Sequence, residues 1–89
     1  MKEIPESIGD LTNLKYLYLG NNKLTEIPDS IGNLKSLKYL FLRKNFINKI
    51  PESIESLSSL QYLNIERNNL KKFPASLEKL EAREVKVFK

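Results

Sequence analysis

Tyr16, Tyr39 and Tyr62 recur at intervals of 23 residues, and Tyr18, Phe41 and Asn64 stand two residues after each of them. Cations lie close by in every case: Lys15, Lys38, Arg43, Lys44 and Arg67. The set suits recognition rather than covalent chemistry. Tyrosine and arginine are enriched at the hot spots of protein contact surfaces. The same interleaving of rings and cations could also track phosphates and stack bases.

The groups that catalysis needs are missing. Histidine and cysteine are both absent, which removes the commonest general base, the commonest metal ligand and all thiol chemistry. There is no Ser/His/Asp set, no metal-ligand cluster and no Gly-rich phosphate loop. Gly9, Gly20 and Gly32 fall in separate turns or at a strand end. No enzymatic activity, metal or cofactor is expected. The formal charge of +4 is modest and leans toward an acidic partner. No apolar run approaches the roughly 20 residues of a membrane span. The first residues do not resemble a signal peptide, and no Asn-x-Ser/Thr acceptor occurs. These features favour an intracellular or bacterial setting with no membrane contact.

What positions the tyrosines is a repeat. Leu14, Leu17, Leu19, Asn22 and Leu24 are matched 23 residues later by Leu37, Leu40, Leu42, Asn45 and Ile47, and again by Leu60, Leu63, Ile65, Asn68 and Leu70. Ile4-Pro5, Ile27-Pro28, Ile50-Pro51 and Phe73-Pro74 share the phase, as do Leu11, Leu34, Leu57 and Leu80. In Leu-x-x-Leu-x-Leu the last two leucines have the period of a strand with one buried face. After each proline the apolar residues are spaced by three (Ile31, Leu34, Leu37), the period of a 3₁₀ or helical turn. Proline suits the start of such a turn, and the acids that follow (Glu6, Asp29, Glu52) complement its positive end. One such unit cannot bury its own apolar side, so units must stack into a solenoid with a parallel sheet along one side. Asn22, Asn45 and Asn68 then form a column able to satisfy turn backbone groups. Ser7, Ser30, Ser53 and Ser76 form another, for which a local capping role is the expectation.

The unit LKYLYLGNNKLTEIPDSIGNL and its two successors resemble the 23-residue class of leucine-rich repeats, and the likeness covers Ile4 to Leu80. It is nearest to the Leu/Ile-Pro-x-x-Ile-x-x-Leu type of bacterial and of Ras-related plant and animal proteins. The resemblance implies an α/β solenoid: a right-handed superhelix with about four short parallel strands on its concave side. Its convex side would carry 3₁₀, short helical or extended segments. It also implies a non-catalytic module or scaffold that recognises another protein through the concave sheet.

The expected organisation is one domain over 1–89: a half-repeat at 3–13, repeats at 14–36, 37–59 and 60–81, and a short terminal strand at 83–88. Strict spacing would turn Lys86 and Phe88 inward. One deleted residue instead gives the inward positions to Ala82, Val85 and Val87, with Glu84, Lys86 and Phe88 on the concave side. No cap precedes the first unit, so Ile4, Ile8, Leu11 and the underside of Leu14 should be partly exposed. Tyr16, Tyr18, Tyr39, Phe41 and Tyr62 should line the concave face, flanked by the five cations named above, with Phe46 exposed on the rim. The tyrosines should stack along their column, since neighbouring strands lie about 4.8 Å apart. A structural, designed or truncated repeat unit without a partner of its own is the main alternative. Nucleic-acid binding ranks below it, because the basic patch is small and Glu66 interrupts it. Self-association through the exposed ends or the edge strand is also expected to be testable. It predicts a mass that rises with concentration in sedimentation; a constant monomer mass at high micromolar concentration removes it.

Overall fold

The structure, a computed structural model, describes residues 2–89. Four three-residue strands, β1 (Tyr16–Tyr18), β2 (Tyr39–Phe41), β3 (Tyr62–Asn64) and β4 (Lys86–Phe88), form one parallel sheet in chain order. Between them the chain returns through 3₁₀ turns at Asp29–Asn33 and Glu52–Ser56, and a matching turn at Glu6–Asp10 precedes β1. The last return is an α-helix, α1 (Ala75–Ala82). Its Ala, Leu, Glu and Lys residues are strong helix formers, whereas Gly9 and Gly32 interrupt the first two turns.

Proline stands immediately before each return in extended conformation, near φ −68° and ψ 151° at Pro5. Its carbonyl accepts the first turn bond, from Ile8 N–H at 3.0 Å and from Ile31 N–H at 3.1 Å. No serine caps these turns. The Oγ atoms of Ser30, Ser53 and Ser76 are buried and have no hydrogen-bond partner among the described residues, contrary to the capping expectation. Their value is small size. A Cβ on Gly9 would lie 2.9 Å from Ser30 Cβ, and one on Gly32 would lie 2.7 Å from the Ser53 carbonyl oxygen. Glycine facing serine lets successive turns approach closely enough to stack.

The core lies between sheet and returns and is a single buried cluster that includes Leu24, Ile31, Leu34, Leu37, Leu40, Leu42, Ile54 and Leu63. Fully burying each leucine or isoleucine is worth about 1.5–3 kcal/mol, so this cluster dominates cohesion. The three ion pairs among the described residues all join partly exposed side chains, where each contributes about 0–1 kcal/mol.

The asparagine column sets how units meet. Leu24 N–H donates to Asn45 Oδ1 (3.1 Å), while Asn45 Nδ2 donates to the Leu19 and Leu42 carbonyls (2.9 and 3.0 Å). Asn68 repeats the pattern: it accepts from Ile47 N–H at 3.0 Å and donates to Leu42 and Ile65 at 2.9 and 3.0 Å. Each carboxamide thus pairs groups of its own unit with groups of the unit before.

The ends depart from expectation in three ways. Ile4 is buried at 7% exposure, because it joins the same core cluster as Ile27, whereas Ile8 and Leu14 are partly exposed as expected and Leu11 is open at 51%. The final strand is Lys86–Phe88 rather than 83–88. Its register also slips the other way. Leu63 pairs with Val87, 24 residues on, so one residue is inserted rather than deleted. Ala82 consequently ends α1, exposed, and is no core position. The insertion closes the helix. Glu84 N–H bonds the Glu81 carbonyl and Val85 N–H the Leu80 carbonyl (2.9 and 3.1 Å), with Glu84 in left-handed conformation at φ 66°. That is a Schellman ending, and it puts Glu84 in a turn instead of on the sheet face.

Two variants follow from this geometry. Asn45→Ala should lower unfolding free energy by about 3 kcal/mol, because several buried backbone groups lose their partner. Glu84→Gly should raise it by about 1 kcal/mol, since glycine takes the left-handed position without strain. Denaturant titration of both against the parent checks the signs.

Candidate functional site

In each strand the central residue (Leu17, Leu40, Leu63, Val87) turns toward the core, and its two neighbours turn to the open face of the sheet. Parallel register therefore sets Tyr16, Tyr39, Tyr62 and Lys86 in one row and Tyr18, Phe41, Asn64 and Phe88 in the next. All five predicted aromatic residues share this face, and Phe88 joins them.

The rings do not simply stack along their rows. Tyr16 meets Tyr39 at a centroid distance of 5.2 Å and Tyr18 meets Phe41 at 4.7 Å, both tilted. Tyr39 meets Tyr62 only edge-on, at 6.1 Å and 83°. Tyr62 crosses to the second row instead, touching Phe41 at 4.7 Å and Phe88 at 4.8 Å. The cause lies at Asn64. Between the two phenylalanines the register places a small amide instead of a ring, and Tyr62 occupies the space above it. The outcome is one connected network of six rings, most open at the β1 edge, where Tyr16 is 49% and Tyr18 61% exposed. Tyr39, Phe41 and Tyr62 are half-buried by their neighbours.

The predicted cations divide by position. Lys15 and Lys38 precede β1 and β2 at one border of the face, with Lys38 N–H bonded to the Lys15 carbonyl at 2.8 Å. Arg43 Nε lies 3.7 Å from Glu66 Oε1, a partly exposed pair that neutralises part of the patch. Lys44 and Arg67, like Asn21, adopt left-handed backbone with φ of 62°, 55° and 58°. They sit at the turn leaving each strand, on the rim and not on the sheet. Phe46 lies on that rim at 52% exposure.

A second surface feature went unpredicted. A groove of about 910 Å³ is lined by Ile50, Pro51, Phe73 and Pro74 with Lys49, Lys71 and Lys72, and shares no residue with the aromatic face. Phe73 is half exposed there because it ends the Ile4, Ile27, Ile50 column, and Lys89 Nζ lies 5.3 Å from its ring centroid. No group of three or more His, Cys, Asp or Glu side chains that could hold a metal occurs among the described residues. Nor is any helix there long and apolar enough to cross a membrane.

Stacked strand-and-return units with an asparagine ladder are matched by a family profile. The leucine-rich repeat region profile covers residues 1–85. The chain belongs to the leucine-rich repeat family. Among solved structures it is similar to a leucine-rich repeat protein of Leptospira interrogans, with 34% identity and a TM-score of 0.84. That likeness covers 97% of this chain and 22% of the Leptospira chain. It is also similar to the plant peptide hormone receptor RGFR1 in complex with RGF2, at 25% identity and TM-score 0.70, over 97% of this chain and 18% of the receptor. The chain thus spans about a fifth of either neighbour's length. No curated protein matches it. The fold is a leucine-rich repeat solenoid, and its aromatic face is the concave one.

Within this leucine-rich repeat, Tyr62 touches three other rings and Tyr16 one. Ring pairs are worth about 0.5–1.5 kcal/mol each beyond area burial. Tyr62→Ala should therefore cost at least about 1 kcal/mol more stability than Tyr16→Ala. Thermal and urea unfolding of the two variants gives the comparison.

Proposed function

We propose that this leucine-rich repeat is a non-catalytic protein-interaction module that contacts its partner through the concave aromatic face. The observation that carries the reading is the outward presentation of the rings. Tyr16 and Tyr18 are 49% and 61% exposed, and Phe88 at the far edge is 40% exposed, so large aromatic surface meets solvent across the face. Rigid rings with polar tips, bordered by Lys15, Lys38 and Arg43, offer large contact area for little loss of side-chain freedom. Family membership supports the reading, as does the similarity to a receptor solved in complex with RGF2.

Size bounds the affinity. Four strands about 4.8 Å apart, each spanning roughly five residues at 3.3 Å once a flanking residue is counted at either end, give a patch on the order of 300 Å² in plan. A standard interface buries about 800 Å² per partner. This face alone binds weakly, and tight binding recruits the rims, with Lys44, Phe46 and Arg67, or neighbouring repeats.

Tyr18 and Phe41 are the residues for the test, since Tyr18 makes a single ring contact and Phe41 two. Tyr18→Ala with Phe41→Ala should abolish capture of partner in a pull-down while the chain stays folded, with stability lowered by about 1–3 kcal/mol for the two lost ring contacts. Undiminished capture by the folded double variant would move the contact surface elsewhere.

A further inference from the structure

The concave side carries an uneven share of the charge. From the residue before each strand to the third residue after it, every ionised side chain is a cation except Glu66. Seven of the fifteen cations and one of the eleven carboxylates fall in these segments. Of these cations, Lys89 pairs with Glu81 at 3.1 Å and lies over Phe73, away from the face, and Lys44 and Arg67 stand on the rim. Moreover, Glu66 is engaged by Arg43 at 3.7 Å, which leaves Lys15, Lys38 and Lys86 free of carboxylate partners among the described residues. Lys86 stands in the tyrosine row itself, beside Tyr62.

A second observation concerns Asn64. It is 6% exposed, with Phe41 and Phe88 beside it in register and Tyr62 in contact with both rings. Its Oδ1 accepts from Glu66 N–H at 3.0 Å. A backbone N–H can only donate, so this bond assigns the amide oxygen and leaves Nδ2 as the free end. Nδ2 donates to nothing among the described residues, unlike Nδ2 of Asn45 and Asn68. This Nδ2 is not closed off from solvent, so an acceptor arriving at the open face can reach it.

We propose that the concave face takes an extended, acidic peptide segment of the partner, and this rests on the reading of that face as the contact surface. The segment crosses the four strands. Three strand spacings of about 4.8 Å amount to roughly four or five residues of extended chain. Its carboxylates lie toward Lys15, Lys38 and Lys86, its apolar side chains lie on the rings, and one of its oxygens accepts from Asn64 Nδ2 as Tyr62 yields. Nucleic acid would meet the same cations, but stacking a base requires a free ring face. Here Tyr39, Phe41 and Tyr62 are half-buried against one another. Open ring surface is left chiefly at the two edges, on Tyr16, Tyr18 and Phe88, which does not give a run of bases successive faces to stack on.

The test is a titration of the ¹⁵N-labelled chain followed by amide resonances. Three probes are used at low salt: a capped octapeptide alternating Glu and Phe, its Gln-for-Glu counterpart, and an oligothymidine. The Glu peptide should shift the amides of all four strands and the side-chain amide of Asn64. It should bind roughly fivefold more tightly than the Gln peptide, the worth of about two screened surface charge pairs. Lys38→Gln with Lys86→Gln should erase that preference and leave the fold intact. Equal binding of the two peptides overturns the acidic assignment while the contact face stands. Strand shifts without movement of the Asn64 side chain overturn the donor role. Response to oligothymidine alone makes the face a nucleic-acid surface, and silence with all three probes sinks the inference. The underlying reading fails separately, if Tyr18→Ala with Phe41→Ala leaves partner capture intact.

Discussion

A single side-chain amide bridging two consecutive turns controls where everything else in this solenoid lies. Asn45 and Asn68 each accept from a backbone N–H of the preceding unit and donate to carbonyls on both sides of the junction. Those backbone groups lie in or beside the core, where each would carry a desolvation cost if left unpaired. Slipping one unit by a residue would break the bridge and reverse the facing of every side chain in its strand. Tyrosines would then enter the core and leucines would meet water. The ladder is thus what makes a row of tyrosines a row.

Magnitude and register come from different groups. The leucine and isoleucine cluster supplies most of the free energy, but apolar contact is tolerant of small shifts. Hydrogen bonds supply less energy and far more geometry. On the return side the same division appears in small residues. Gly9 against Ser30 and Gly32 against Ser53 let backbone approach backbone, and at the next junction Glu55 stands where those glycines stand. There the neighbouring return is α1, and Arg83 just past its end donates to the carbonyls of Glu55 and Leu57 at 2.8 and 2.7 Å. A different closure serves a different neighbour.

With the core and ladder carrying stability, the open face is free to be unusual. Six rings touch one another across four strands while those nearest the β1 edge stay in solvent. Their mutual contacts hold them in place before any partner arrives, which lowers the ordering cost of binding. The face is nevertheless small, so its value is in selecting a partner more than in holding one.

Periodicity alone determined most of this protein. The 23-residue phase of leucine, asparagine and proline specified strand, turn, stacking order and the inward or outward sense of nearly every residue, because each unit solves the same burial problem. Alternation also placed Lys86 and Phe88 on the open face despite the wrong register, since a deletion and an insertion differ by two residues and a strand repeats every two. What alternation could not settle was which of the two occurred. That depended on α1 needing Glu84 in a left-handed turn to end it, a condition visible only once the helix is packed. The serine column was misread for a related reason. Spacing shows that a small residue recurs, but only the packed turns show Gly9 close against Ser30 and Gly32 close against Ser53, so that size and not capping is what those serines supply. Likewise the columns predicted stacked tyrosines, while the small amide at Asn64 diverted Tyr62 onto Phe41 and Phe88. Repeats specify what is common to all units; contacts between unlike neighbours are decided only in three dimensions, where side-chain volumes compete for the same space.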